Sequence, residues 1–185
     1  MNPWQPPGLW EQLTTRPKFR QVYEPSHGAD LRRRSLYTYW KRASHHPTMA
    51  SFDAPNREVC TVQREATTTP QQALTLLHDP QFVEAARGLA QRMLQDPAFG
   101  NTLRKRISRA FLHATGRRPG DREVALLERL HETEQARLED HPEEAAALLR
   151  VGESTVPDGL NPVRLAAATM TARAILNLSE TVTLD

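Results

Sequence analysis

Apolar residues recur at steps of three and four along the second half of the chain, the spacing of amphipathic helices. The three longest sets are Val83, Ala86, Leu89, Ala90, Met93 and Leu94 after Pro80; Leu103, Ile107, Ala110, Phe111 and Ala114 after Thr102; and Val124, Leu127, Leu130 and Leu138 after Gly120. Gly116 supplies a stop for the second. The pattern predicts three helices whose apolar faces form a core.

Five helix starts are marked by a polar residue followed by proline, namely Thr69-Pro70, Asp79-Pro80, Asp96-Pro97, His141-Pro142 and Asn161-Pro162. Proline loses no hydrogen bond at the first helical position, and a preceding Thr, Asp or Asn accepts from the exposed amides. Gln72 completes a capping box with Thr69. The marks predict further helices from Pro70, Pro142 and Pro162, and residues 151–161 are predicted to form a loop.

The first forty residues carry a weaker pattern. Three prolines among residues 2–7 exclude a helix interior and predict an extended arm over residues 1–30, which Trp4 and Trp10 would clasp onto the helices. Leu31–Ala43 is predicted to be a short helix in which Leu36, Tyr39, Trp40 and Ala43 share a face. No alternating pattern requires a sheet. We therefore expect a mainly α fold, a single helical domain over residues 1–185 with about five to six helices, divided into the arm and a helical body over residues 31–185.

Composition adds a few limits. The length of 185 residues suits one domain, but a hydrophobic content of 38% and 14 prolines favour a modest core. No run approaches the roughly 18 apolar residues of a membrane span, and no signal region opens the chain, so we expect no membrane insertion. The single Cys60 cannot form an intramolecular disulfide and is expected to be a small buried hydrophobe.

Candidate chemistry concentrates around a proline-bent loop that contains Asp53, Arg57 and Glu58 and follows the arginine run Arg32, Arg33 and Arg34. A carboxylate beside arginines stays ionised, which suits a hydrogen-bond acceptor. One interpretation is an ion-pair network that fixes the segment; the other is a ligand-binding surface, to which Trp40 adds a stacking face. The scattered histidines lack the spacing of metal ligands, so no metal site is predicted.

Charge leaves a further alternative open. Residues 1–119 carry a net charge of +9 and residues 120–185 a net charge of −7. Arg32, Arg33, Arg34 and Lys41 would be the contacts of a polyanion binder. No recognised nucleic-acid module accompanies them, so nucleic acid is not the expected partner.

Several segments together resemble the family called domain of unknown function 1553, the planctomycete-type PSD domain. They are Gln5-Pro6-Pro7-Gly8-Leu9-Trp10-Glu11, Arg33–Thr38 with Trp40-Lys41-Arg42, Phe52-Asp53-Ala54-Pro55 with Arg57-Glu58 and Cys60-Thr61, Thr69-Pro70 with Gln72-Ala73-Leu74 and Leu76-Leu77, Phe82–Arg87, and Thr115–Pro119. The chain departs from the family pattern at Leu77-His78-Asp79 and at Asn177-Leu178-Ser179-Glu180.

The resemblance implies the C-terminal portion of a larger exported protein that begins with a cytochrome-c-like haem domain. It implies no cofactor in this chain, because haem belongs to the upstream domains, and it makes those domains the expected partners. The chain resembles a fragment. No established reaction accompanies the family, so no catalytic residue is carried over.

The expected function is therefore a non-catalytic binding or assembly module of an exported, cytochrome-associated protein. The alternative is an enzyme or substrate-binding domain that acts on polysaccharide, with Asp53, Arg57 and Glu58 as its catalytic candidates. Carbohydrate is the corresponding ligand. The polyanion binder is the third interpretation.

Overall fold

The computed structural model describes residues 1–10, 22–41 and 44–183. The chain divides into two compact units, Met1–Thr75 (unit 1) and Leu76–Asp185 (unit 2). The single domain over residues 1–185 stays a prediction.

The described residues form eight α-helices and no β-strand, apart from an isolated bridge between Lys41 and Ser44. The helices are α1 (Pro47–Ser51), α2 (Pro70–His78), α3 (Pro80–Gln95), α4 (Leu103–Thr115), α5 (Asp121–Asp140), α6 (Pro142–Leu149), α7 (Pro162–Leu176) and α8 (Ser179–Val182). The predicted mainly α fold is confirmed. None of these helices has the length and apolar composition needed to cross a membrane.

The predicted proline starts all begin a helix. Asp79, Asp96 and Asn161 cap theirs by accepting a hydrogen bond from a backbone amide in the first turn. Thr69 and Gln72 exchange the two reciprocal bonds of a capping box at the start of α2. The segment after Asp96 forms only a 3-10 turn, Pro97–Phe99. These signals held because each acts within four residues of its own proline.

Unit 2 is organised around α7, which contacts α3, α4, α5 and α6. Its buried residues are Leu165, Ala166, Ala167, Ala168, Thr169, Thr171, Ala172 and Ile175. Short alanine side chains let helix backbones approach closely on adjacent sides of α7. The buried residues of α7 therefore extend around more than one face of the helix.

A second core cluster of unit 2 lies where α3, α4, α5 and α7 meet. It contains Met93, Phe99, Ile107, Ala110, Phe111, Val124 and Ile175, each 3% exposed or less. Most of these residues belong to the predicted helix faces, so the prediction that those faces are core is confirmed.

The loop between α6 and α7 is fastened to α3 by two charged side chains. Arg87, which is only 2% exposed, donates to the carbonyl oxygens of Leu149, Val151 and Ser154 and to the Ser154 hydroxyl. Glu84, one turn earlier, accepts from the backbone amides of Glu153 and Ser154. The pair satisfies the polar backbone of a loop that has no regular structure of its own.

Unit 1 has little regular structure. The predicted helix Leu31–Ala43 is wrong: Gly28–Arg32 and Ser35–Tyr37 form short 3-10 helices, and residues 42–43 lie outside the described residues. The terminal ammonium of Met1 donates to the Tyr37 carbonyl at 2.7 Å, and the Tyr39 amide donates to the Met1 carbonyl at 2.7 Å. Backbone groups that a helix needs are thus bonded to the N-terminus.

The predicted extended arm is described only in part, because residues 11–21 lie outside the described residues. Residues 1–6 have no helix or strand. Trp10 is buried against the rings of Tyr23 and Tyr39, at 4.7 and 5.8 Å between centroids, and the Lys41 ammonium lies 4.1 Å from its ring. Trp10 therefore packs on the irregular part of unit 1.

Candidate functional site

Asp53 is the centre of a hydrogen-bonded loop in unit 1. Its backbone has a positive φ of 56°, which asparagine and aspartate tolerate better than most residues. Its carboxylate accepts from the Thr67 amide at 2.9 Å, from the Thr67 hydroxyl and from the Gln72 side-chain amide at 3.3 Å. Gln72 is also the capping-box residue of α2, so one side chain joins the loop to the helix start.

Arginine has a smaller part in this loop than the sequence suggested. The Arg64 guanidinium donates to the backbone carbonyls of Phe52 and Asp53. The hydrogen bond from the Thr67 amide is the main reason why the pKa of Asp53 lies below its usual range, and the Arg64 charge contributes less. The negative charge of the Asp53 carboxylate is therefore stabilised chiefly by uncharged hydrogen-bond donors.

The other two catalytic candidates lie on the exposed part of the same loop. Arg57 also has a positive φ, 62°, and its guanidinium lies 4.6 Å from the Trp40 ring centroid. That distance is a cation–π contact. Glu58 is exposed, and its backbone amide donates to the Asn56 side chain. Trp40 thus contacts Arg57, whereas Asp53 is hydrogen-bonded to Thr67 and Gln72.

Two of the predicted basic contacts have separate partners within unit 1. Arg32, Arg33 and Arg34 are all exposed, and Arg33 forms an ion pair with Asp30 at 2.8 Å. Lys41 lies over Trp10. All seven ligand-binding candidates belong to unit 1.

A sequence model of the family described as "Protein of unknown function (DUF1553)", PSD1, matches residues 2–131. The chain belongs to the DUF1553 family. No curated protein matches the chain. No solved structure matches it either. The DUF1553 match ends within α5, so α6, α7 and α8 lie beyond it.

Cys60, which lies within a DUF1553 segment, is not the small buried hydrophobe that was expected of a lone cysteine. It is exposed, as are its neighbours Val59 and Val62. Residues 55–69 contain no helix or strand in which a periodic apolar face would be buried. The Cys60 side chain therefore lies on an irregular loop and is not a buried hydrophobe.

Two DUF1553 segments that the sequence singled out have structural tasks in unit 2. The segment Phe82–Arg87 contains Glu84 and Arg87, which anchor the loop after α6. This role was not predicted from the sequence. The three-residue spacing of opposite charges on one helix was the only signal for them.

Arg173 on α7 donates to the carbonyl of Leu77, next to His78, which departs from the family pattern and is exposed.

The segment Thr115–Pro119 supplies Arg117, which joins three elements. Its guanidinium binds Glu123 of α5 and Glu180 of α8, with N–O distances of 2.6 to 2.9 Å, and lies 4.8 Å from the ring of Phe111. The hydrogen bonds from Arg117 are the largest cause that lowers the pKa of Glu123, to about 2. Glu123 is therefore ionised over the whole neutral range.

This pKa shift predicts an acid-dependent loss of stability. A carboxyl group whose pKa falls from about 4.3 in the unfolded chain to about 2 in the folded one stabilises the fold above about pH 5. The contribution is lost as the pH falls towards 2. In urea unfolding, Glu123→Gln is expected to be less stable than the native chain at pH 7, and the gap is expected to close by pH 2.

The control is Asp158→Asn, in the exposed loop before α7. It is expected to follow the native chain across the whole pH range. A gap between Glu123→Gln and the native chain that stays constant from pH 7 to pH 2 would refute the assignment.

One group of side chains in the described residues has the donor atoms of a metal site. His141, Glu143 and Glu144 are all exposed and place their ligand atoms within 4.8 Å of one another. Glu144 also forms an ion pair with Arg137, and that cation competes for the carboxylate. The group is an exposed charged cluster at a helix start and does not add a metal centre to the candidate site.

Proposed function

We propose that this chain is a non-catalytic binding and assembly module whose unit 1 packs against another folded domain. The supporting observation is the uneven distribution of exposed large apolar side chains. Among the described residues of unit 1 they are Val22, Leu36, Tyr37, Tyr39, Val59, Val62 and Leu74, and among those of unit 2 they are Leu126 and Val182.

The exposure in unit 1 is extensive. Val62 is fully exposed, and Leu36 and Val59 are 72% and 70% exposed. Single exposed apolar residues are ordinary, but a helix-poor unit that leaves this many uncovered is typical of a surface that meets a partner. Burial of each such side chain would contribute about 1.5–3 kcal/mol to association.

The proposed partner is the upstream part of a DUF1553 protein, with its cytochrome-c-like haem domain, in an exported assembly. This partner follows from the family resemblance. The chain itself needs no haem in this proposal.

The polysaccharide-enzyme alternative receives less support. Asp53, its best catalytic candidate, already accepts from two donors of Thr67, the backbone amide and the hydroxyl, and from one of Gln72. Four surface cavities of the described residues are lined by residues other than Asp53, Arg57 and Glu58. A general acid or base needs an open approach to its substrate.

A titration tests the assembly proposal. The chain is added to the separately produced upstream domains of a DUF1553 protein, and association is followed by calorimetry and sedimentation. We expect saturable binding, and a rise in the melting temperature of the chain at saturation because the partner binds only its folded form.

Matched variants locate the surface. Val59→Ser combined with Val62→Ser changes two exposed side chains in unit 1 and is expected to weaken association at least tenfold with little change in the stability of the free chain. Leu126→Ser, 60% exposed on unit 2, is the control and is expected to bind like the native chain. Absence of binding, or equal affinities for the two variants, refutes the proposal.

A further inference from the structure

A cavity of about 230 Å³ lies among α3, α4, α5 and α7 of unit 2. Its apolar lining residues are Met93, Leu94, Leu103 and Ala168. Its polar lining consists of Asn101, Arg106, His131, Glu132, Gln135 and Arg164. Convergent polar and charged groups beside a smaller apolar surface suit a small polar ligand.

The hydrogen-bond pattern fixes which nitrogen of His131 carries the proton. His131 is buried, and its Nδ1 lies 3.1 Å from the hydroxyl oxygen of Thr171. That hydroxyl donates its single proton to the Ala167 carbonyl at 3.0 Å. The Thr171 oxygen must therefore accept from Nδ1–H, since a hydroxyl has one donor.

The neutral His131 ring consequently has its lone pair on Nε2. No hydrogen-bond partner for Nε2 occurs among the described residues. Burial is the main cause that lowers the pKa of His131; Glu132 raises it, and Arg164 and Arg106 lower it further. At neutral pH the cavity thus contains an imidazole acceptor that is suited to a hydroxyl donor.

Two arginines, Arg106 and Arg164, line the same cavity as His131, and their charges act on its imidazole. The Nε of Arg106 donates to the Gly100 carbonyl, and its terminal nitrogens have no partner within the described chain. Arg164 lies in the first turn of α7, and no described residue accepts from its guanidinium. Glu132 offsets one of the two charges, so the cavity has a net charge of about +1 with His131 neutral.

We propose that this cavity binds a small hydroxycarboxylate such as a sugar acid. Arg106 and Arg164 hold the carboxylate, and a ligand hydroxyl donates to Nε2 of His131. The net charge favours a singly charged carboxylate over a doubly charged phosphate. A guanidinium also matches a carboxylate in geometry, because its two parallel N–H groups meet both oxygens.

The surroundings leave room for a larger ligand. A shallower groove of about 420 Å³ shares Leu94, Asn101 and Arg106 with the cavity. An acidic sugar bound through its carboxylate would extend along this groove. The site lies outside the unit 1 surface of the assembly proposal, so the two can be tested independently.

The test is a titration of the native chain with glucuronate, followed by calorimetry and by the imidazole signals of His131 in nuclear magnetic resonance. We expect saturable binding and a shift of the His131 Nε2 signal. Glucose lacks the carboxylate and acetate lacks the hydroxyl, so each is expected to bind at least tenfold more weakly than glucuronate.

The variant Arg164→Gln changes an exposed side chain at the rim and is expected to weaken glucuronate binding at least tenfold with the helical content unchanged. Arg129→Gln, exposed on the same helix as His131 but outside the cavity, is the control and should bind normally. The proposal would be overturned by any of four results: absence of binding up to about 10 mM, tighter binding of inorganic phosphate, an unmoved His131 signal, or equal weakening of binding in the two variants.

Discussion

Replacement of Arg87 by methionine is expected to lower the free energy of unfolding by about 3–5 kcal/mol. Methionine fills a similar volume but cannot donate to the three carbonyls and the hydroxyl that Arg87 reaches. A buried carbonyl without a donor costs about 1–3 kcal/mol. The change also leaves the Glu84 carboxylate without the guanidinium whose charge opposes the cost of burying it.

Urea unfolding followed by circular dichroism measures this loss, since most of the regular helices belong to unit 2. Arg92→Met is the matched control. Arg92 is exposed on the same helix, with its guanidinium 5.6 Å from the ring of Phe99, and its replacement is expected to cost less than about 1 kcal/mol. Equal losses in the two variants would show that the contacts of Arg87 with the loop contribute nothing to stability.

The local part of the fold was predictable from the sequence. A capping residue, a proline and an apolar repeat act over a few residues, so Asp79-Pro80 and Asn161-Pro162 identify the starts of α3 and α7 without reference to the rest of the chain. The prediction of a helix at Leu31–Ala43 was wrong because residues far away in the sequence compete for its backbone hydrogen bonds. Its competing backbone partner, Met1, lies 36 residues before Tyr37.

The sequence predicted where the candidate site lies in the chain but not which residues bind Asp53. Charge proximity suggested arginine partners for Asp53, whereas its donors are Thr67 and Gln72, 14 and 19 residues later. Neutral side chains of that kind carry no charge pattern that would single them out.

The sequence did not predict hydrogen bonds between residues that are far apart along the chain. The partners of Arg87 lie 62 to 67 residues away, and most are backbone carbonyls, which every residue has. The cavity around His131 has the same origin, because α4, α5 and α7 each supply one of its cationic or imidazole groups. Metal ligation imposes a histidine spacing that a sequence can show, whereas a site that accepts a carboxylate has no such spacing rule.

Gly152→Ala is expected to destabilise the chain by about 2–4 kcal/mol, from two separable causes. Gly152 has a φ of +88°, a conformation that side chains rarely adopt. In addition, a Cβ atom there would lie 2.1 Å from a carboxylate oxygen of Glu84 and 2.8 Å from its Cβ. Glu84 would have to move and give up its bonds to the amides of Glu153 and Ser154.

A second glycine of the same loop separates the two causes. Gly159 has the same φ of +88°, but a Cβ atom there would meet nothing within 4 Å. Gly159→Ala is therefore expected to show the backbone cost alone, about 1–2 kcal/mol. In a Glu84→Ala background the colliding carboxylate is gone and only the 2.8 Å approach to the Cβ of residue 84 remains, so the cost of Gly152→Ala should fall but stay above that of Gly159→Ala. If the cost of Gly152→Ala is the same in both backgrounds, the contact between Glu84 and the loop does not stabilise the fold, and Arg87 is its only anchor on α3.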